Sequence, residues 1–315
     1  MATSDLRVGV FGVGALGRHH TRILGGLPGV ERVGIHDPNP ETAAAVAAEY
    51  GVPIFGSFDE LAGAIDAAVV AAPTVAHVDL GTRLLERGVH VLIEKPIAAS
   101  VAGADELIDA ARRAGRVLAV GHVEFHNPAV AALLAAGGAP RFVEIERLGV
   151  FTPRSLDVDV IADLMIHDLQ ILLELDSSGI HEVRAVGIPV LSGRIDIVNA
   201  RLAFASGMVA NVTASRVSGE RARKLRAFYP DRYRSLDYQA QEIKGYRLES
   251  NGGEKRILPE SIAVEKGEPL RLELEAFRDA CLGVENRSVG GESARAALAV
   301  AVEVARCAAG SAAGA

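Results

Sequence analysis

The sequence predicts an α/β chain in two parts. A doubly wound, mainly parallel sheet of Rossmann type covers residues 1–121, and an α/β domain with a mainly antiparallel sheet covers residues 122–315. Three observations carry this reading. Apolar runs alternate with helical patterns up to about residue 120, as in successive βαβ units. The cluster Gly12-Val13-Gly14-Ala15-Leu16-Gly17 follows the first apolar run and opens the first helix. Beyond residue 175, strand-like runs follow one another with no helices between them until about residue 269.

The elements can be read in order. Residues 7–11 form a short apolar strand without polar alternation, as expected when both sheet faces are covered. Residues 30–36 form a second strand. Asn39, Pro40 and Glu41 supply an N-cap, a first-turn proline and a first-turn acid, and Gly51 ends that helix. Ser57 and Glu60 have capping-box spacing. Residues 67–71 are the third strand, 76–87 a helix closed by Gly88, and 89–93 the fourth strand. A helix stopping at Gly115 leads to a fifth strand at 116–120. In the second part a helix at 128–136 precedes a strand at 142–148 and a longer helix at 160–175. Strand runs at 182–190, 195–204, 208–215, 225–229, 235–238 and 242–248 follow, with turns at Ser206-Gly207 and Asn251-Gly252. Helices at 269–282 and about 292–309 close the chain, and the last is expected to pack near the domain junction.

Composition narrows the function classes. Apolar residues make up 49% and charged residues 23%, ordinary for a globular protein. A net charge of −7 argues against nucleic acid as a partner, since that binding needs a basic footprint. No apolar stretch approaches the roughly 20 residues that span a bilayer, and the N-terminus lacks a signal-peptide pattern, so no membrane partner is expected. Cys281 and Cys307 share no metal-ligand spacing and are expected to be buried thiols in a reducing compartment. The expectation is a cytoplasmic enzyme without a metal.

The glycine cluster is a dinucleotide fingerprint in the right context. Gly12 permits the tight turn, Gly14 admits a pyrophosphate, and Gly17 lets the helix approach the strand. Ala15 and Leu16 lie in the same loop, at a helix N-terminus that favours an anion. Asp37 ends the second strand about 20 residues later, where an acid binds the ribose 2′-OH and repels a 2′-phosphate. This favours NAD over NADP; otherwise Asp37 only begins the turn at Pro38. Ala72, Pro73 and Thr74 end the third strand on the same sheet edge and line the cofactor. His77 either meets a ligand or caps the following helix. Of His19 and His20, one is expected to pack inside and one to face solvent. Glu94-Lys95-Pro96 ends the fourth strand, where open α/β sheets hold ligands. Pro96 shapes the turn that aims Lys95, and Glu94 is a cofactor or structural contact.

With these residues in view, the chain resembles the Gfo/Idh/MocA family of oxidoreductases. The fingerprint, the Ala72-Pro73-Thr74…His77 stretch, Glu94-Lys95-Pro96 and the Asp163…His167 pair fall in that family's order along the whole chain. The resemblance implies a Rossmann domain, a second domain with a large, mainly antiparallel sheet, an active site between them, and a homodimer or homotetramer paired through the open sheet face. The run from Arg154 to Val160, continuing into Asp163-Leu164-Met165-Ile166-His167-Asp168, resembles the branch acting on UDP-N-acetylglucosamine, which oxidises the sugar 3-hydroxyl. One departure stands out: many relatives place an arginine before the Phe-Asn-Pro-like motif, and here the segment reads Glu124-Phe125-His126-Asn127-Pro128.

Oxidising a secondary alcohol needs a hydride acceptor and a base. NAD accepts hydride. His167 is the first choice of base, because imidazole titrates near neutral pH. Asp163 stands four residues earlier on the predicted helix, on the same face. Lys95 steadies developing alkoxide charge. The bland alternative for Asp163 and His167 is an exposed surface pair. His122, Asn127, Arg154 and Arg216 join Lys95, Asp163 and His167 as candidates for touching substrate. The basic segment 216–226 either holds a sugar-nucleotide diphosphate or forms a solvated or intersubunit surface. The sequence thus predicts an NAD-dependent sugar dehydrogenase. The alternatives are a dehydrogenase or reductase of a free polyol or other sugar, and a non-catalytic NAD(H)-binding regulator.

Overall fold

The computed structural model describes residues 5–151, 158–251 and 254–312. The chain divides into two compact units, Met1–Val123 with Glu268–Arg295, and Glu124–Gly267 with Ala296–Ala315.

The first unit is a five-stranded parallel sheet in the order β2-β1-β3-β4-β5. Its strands are β1 (Leu6–Phe11), β2 (Val30–His36), β3 (Ala67–Val70), β4 (His90–Glu94) and β5 (Leu118–Gly121). Every residue of β3 is buried, which explains its unbroken apolar sequence. The helices are α1 (Gly17–Leu24), α2 (Pro40–Tyr50), α3 (Phe58–Ala62), α4 (His77–Glu86) and α5 (Val101–Ala114). Their limits follow local chemistry. The Asn39 side chain accepts from the N–H groups of Glu41 and Thr42 at 3.0 and 3.2 Å, and Gly51 ends α2 at φ +58°. Ser57 accepts from Glu60 N–H at 3.3 Å, but the Glu60 carboxylate takes Gly56 N–H at 3.1 Å, so the capping box closes one residue early.

The sequence assigns residues 268–295 to the second domain; the structure groups them with the first. The reason is α8 (Pro269–Cys281), which puts Leu274 and Phe277 into the cluster formed by Leu6, Val8, Ile23, Leu24 and Leu27. Burying each of those two side chains stabilises the unit by roughly 1.5–3 kcal/mol. The following loop extends the sheet edge: Val120 N–H donates to Val289 O at 2.9 Å.

The second unit is an eight-stranded sheet in the order β13-β12-β11-β10-β6-β9-β8-β7. The strands are β6 (Phe142–Leu148), β7 (Ile180–Ile188), β8 (Ile197–Phe204), β9 (Val209–Ser215), β10 (Ala222–Phe228), β11 (Arg232–Asp237), β12 (Glu242–Asn251) and β13 (Glu254–Ile262). All neighbours are antiparallel except β6 and β9, which run parallel. Two-residue alternation turns Val143, Ile145, Val198, Ala200, Leu202, Ala210, Val212 and Leu225 into one buried face. The unit also holds α6 (Pro128–Ala135) and α7 (Ile166–Leu175); α9 (Gly291–Ala312) ends in it. Among the described residues no helix is long and apolar enough to cross a membrane. Cys281 and Cys307 are unbridged and partly exposed rather than buried, and burial pushes the Cys281 thiol up to about 12.

Candidate active site

In the first unit the glycine loop has the shape a dinucleotide requires. Gly12 sits at φ +81°, and a Cβ there would stand 2.8 Å from Ala71 O. At Gly17 a Cβ would meet Gly12 O at 1.9 Å, so only glycine lets α1 start this close to β1. A Cβ at Gly14 would meet none of the described atoms within 4 Å, and Gly14, Ala15 and Leu16 are exposed. The open backbone and the N-terminal N–H groups of α1 fit a pyrophosphate. Asp37 ties the loop down: Val13 N–H and Asn39 N–H each donate to its carboxylate at 2.8 Å. It is half-buried, with lone pairs left for a ribose hydroxyl. Ala72 and Thr74 are half-buried and Pro73 is exposed at the same edge.

His19 is exposed and His20 is buried. His20 lies on α1 and places Nε2 2.7 Å from Glu94 Oε1, while Lys95 N–H donates to Glu94 Oε2 at 3.2 Å. Glu94 therefore acts as an internal support rather than an exposed cofactor contact; only 6% of it is accessible. Lys95 is half-buried and precedes a cis peptide to the buried Pro96. His77, predicted to meet a ligand or cap α4, is 1% exposed and does something else. Its Nδ1 lies 3.0 Å from Pro96 O and its Nε2 2.9 Å from Ala72 O, so the ring joins the two loops that flank Lys95. His122 is buried at the end of the unit.

In the second unit the predicted helix at 160–175 does not start as an α-helix. Residues Ile161–Met165 form a π-helical turn, closed by Ile166 N–H on Ile161 O, before α7 begins. The Asp159 carboxylate accepts from the N–H groups of Ile161 and Ala162 at 3.0 and 2.8 Å and caps this turn. Asp163 lies in the wide turn and His167 in α7, so the pair does not stand on one straight α-helical stripe. Isolated π turns inside helices recur at functional sites. His167 is 7% exposed and Asp163 half-buried, which excludes the reading as an exposed surface pair.

Behind His167 the next residue, Asp168, is fully buried and takes a two-pronged bond from Arg147 (Nε at 2.8 Å, Nη2 at 2.6 Å). Arg147 Nη1 reaches Glu124 at 2.7 Å, and the Tyr238 ring lies 5.0 Å below the guanidinium. Burial works against the Arg147 charge, yet Asp168 and Glu124 hold its pKa well above the ordinary value.

Three predicted substrate contacts fare differently. Asn127 is 2% exposed and caps α6: its Oδ1 accepts Ala129 N–H at 3.0 Å and its amide donates to Tyr238 O at 2.9 Å. Those bonds spend the side chain on packing. Arg216 is 7% exposed, with Nε on Asp196 at 2.8 Å, Nη1 on Val158 O at 2.9 Å and Nη2 on Ser192 Oγ at 3.1 Å. Arg154 lies outside the described residues. The second half of the basic segment, from Ala222, lies in strand β10, and residues 216–221 form the turn before it; Arg223 and Arg226 pair with Glu124 and Glu146 at 3.2 and 3.0 Å.

Residues 6–122 match the Gfo/Idh/MocA oxidoreductase family, described as NAD-binding with a Rossmann fold. Over 302 residues, 95% of this chain and 96% of the other, the sequence is 39% identical to UDP-N-acetylglucosamine 3-dehydrogenase of Acidithiobacillus ferrooxidans. The chain belongs to the Gfo/Idh/MocA family. As a family member it is an oxidoreductase built on an NAD-binding Rossmann unit. A solved structure of the same A. ferrooxidans enzyme matches at a TM-score of 0.90 and 38% identity, covering 97% of this chain and 98% of that one. An inositol 2-dehydrogenase of Acidothermus cellulolyticus is 31% identical over 203 residues, 59% of this chain and 58% of its own.

Several residues of this family member escaped the sequence reading. Arg147 occupies the inward register of β6 after Val143 and Ile145, a charge where the two-residue pattern demands an apolar group. That mismatch is the available signal for its buried partners. Glu273 likewise falls in the buried stripe of α8, beside Leu274 and Phe277.

Proposed function

We propose that this protein oxidises the 3-hydroxyl of UDP-N-acetylglucosamine with NAD as hydride acceptor. The observation that carries the reading is the 39% identity, over nearly the full length of both chains, to an enzyme named for that reaction. The family's sugar-dehydrogenase chemistry is the coarser part; substrate and carbon position are the finer part.

Gly12, Gly14 and Gly17 admit the dinucleotide backbone, the α1 N–H groups meet its pyrophosphate, and Asp37 takes the ribose hydroxyls. When bound, NAD supplies the site that accepts hydride from the sugar carbon. The chain itself manages the proton. His167 takes the hydroxyl proton as the carbonyl forms. Lys95 donates a hydrogen bond to the same oxygen and steadies its negative charge. Asp163 orients the imidazole or a neighbouring sugar hydroxyl. The reading includes a homodimer or homotetramer and a cytoplasmic setting.

The test is direct. Purified protein is mixed with NAD and UDP-N-acetylglucosamine, and reduced nicotinamide is followed by absorbance. Formation of reduced cofactor with one equivalent of 3-keto sugar supports the reading. Turnover of inositol but not of the sugar nucleotide would favour the second reading, a free-polyol dehydrogenase, which the inositol 2-dehydrogenase similarity supports. Tight NAD binding without turnover of either would leave the regulator.

A further inference from the structure

Behind Lys95 lies a group of side chains that the proposed reaction does not use. His20 on α1, Glu94 at the end of β4 and Glu273 on α8 bring one nitrogen or carboxylate oxygen each within 4.8 Å of one another. All three belong to the first unit, and their exposures are 0%, 6% and 1%. Two contacts fix the middle member: His20 Nε2 at 2.7 Å and the backbone N–H of Lys95 at 3.2 Å. Room for it is built in, because β5 pairs Gly121 with Glu94, and a Cβ at Gly121 would stand 3.0 Å from the Glu94 carboxyl carbon. Glu273 is different. Neither of its oxygens has a hydrogen-bond partner among the described residues, nor does His20 Nδ1.

A buried carboxylate with no donor is among the most costly arrangements in a protein interior, and it is relieved by taking up a proton or by pairing with a cation. Two buried carboxyl groups this close disfavour each other's charge, so one of them is held protonated. His20 Nε2 is already bonded to Glu94, and a proton on one carboxyl relieves the buried charge without a metal ion. We infer that His20 and Glu273 are positioning residues for Lys95, acting through Glu94. Glu273 is a neutral carboxylic acid, and its proton lets it lie beside Glu94 without a second buried charge. Burial first, and the nearby Glu94 second, push its pKa well above the ordinary carboxyl value. His20 holds the opposite side of the same carboxylate. The Glu94 carboxylate is thereby fixed in place, and with it the backbone N–H of the residue that carries the amine. The arrangement rests on the proposed role of Lys95 and adds the three-element support that sets its position.

The experiment uses the full chain with NAD and UDP-N-acetylglucosamine, or inositol if the sugar nucleotide is not turned over. Lack of wild-type turnover with the sugar nucleotide counts against the proposed substrate and leaves the variant comparison intact. His20→Ala should lower kcat by about 100-fold, the scale expected when a reacting group is misplaced by about 1 Å, with KM for NAD little changed. Glu273→Ala should lower kcat by about tenfold. Glu273→Gln, which keeps the shape and a donor but no charge, should recover most of that loss. The infrared spectrum at neutral pH should contain a protonated-carboxyl C=O band that disappears in Glu273→Gln. Four results would each overturn the inference: unchanged kcat in both alanine variants, Glu273→Gln as impaired as Glu273→Ala, no such band, or a stoichiometric divalent metal that His20→Ala removes.

Discussion

Each unit buries two acids beside a residue with catalytic chemistry, and the two burials are neutralised by different means. In the second unit Glu124 and Asp168 surround Arg147, next to His167. In the first, Glu94 and Glu273 lie with a histidine, next to Lys95. A guanidinium is charged at every accessible pH and forks onto two acceptors, so it locks the geometry permanently. A buried carboxyl without a donor keeps its proton instead. The second cluster therefore holds the unit together, while the first supports a short stretch of backbone.

The sharpest way to break this comparison is to remove the guanidinium. Arg147→Met leaves two buried acids without their cation, and the second unit should lose about 3–5 kcal/mol in urea unfolding. A loss under about 1 kcal/mol would make the cluster dispensable. Next come the catalytic neighbours. Lys95→Ala and His167→Ala should each lower kcat by about 100-fold or more while both proteins stay folded. Wild-type rates in both would remove the catalytic meaning of either cluster.

Acid titration separates a fully bonded acid, Asp196, from the unbonded Glu273 by sign. Asp196, on Arg216, has its pKa held far below the ordinary range: burial opposes this, but the Ser192 and Arg216 bonds and two backbone N–H groups outweigh it. Its contribution is present above the unfolded pKa and fades as pH falls below about 4, by roughly 1–3 kcal/mol. Glu273 has a raised pKa, so its effect is opposite: the folded state holds a proton the unfolded chain lacks, and stability declines as pH rises above about 4. Hydrogen exchange at α8 and at residues 190–196 across pH 2–8 should show the two trends, with the α8 trend abolished in Glu273→Gln. Parallel trends would end the distinction. The smallest effect belongs to the cofactor edge. Asp37→Ala should shift the NAD-to-NADP preference by roughly tenfold toward NADP, the worth of one charge-assisted hydrogen bond. An unchanged ratio would move the ribose contact elsewhere.

Much of the parallel sheet is legible in the sequence because its signals are local. Asn39, Ser57, Gly51 and Gly115 mark helix limits through bonds to nearby backbone, and fully buried strands read as apolar runs. The antiparallel sheet is harder. β13 escaped because EKRILPESI is mostly exposed and carries Pro259, which weakens any strand pattern. The π turn is not legible, because residues 160–175 read as one continuous α-helix. At the site, the glycine loop, Lys95 and His167 could be picked out by type and position. Asn127 and Arg216 could not be sorted, since the groups that would hold a sugar are the groups that cap a helix or clasp Asp196. Only the partner atoms decide between those uses.

The parallel pairing of β6 with β9 has a kinetic consequence. Parallel neighbours need a long crossover, and this one contains the π turn, α7 and the β7–β8 hairpin. The ladder from Phe142 with Val209 to Leu148 with Ser215 can close only after that whole excursion has been laid down. Loop-closure entropy thus falls on the middle of the sheet, where local hairpins cannot relieve it. The expected rate-limiting event in folding is this closure, visible in pulsed hydrogen exchange as late protection of β6 and β9 amides relative to those of β12 and β13. The helix that carries His167 lies within the excursion that this closure must span.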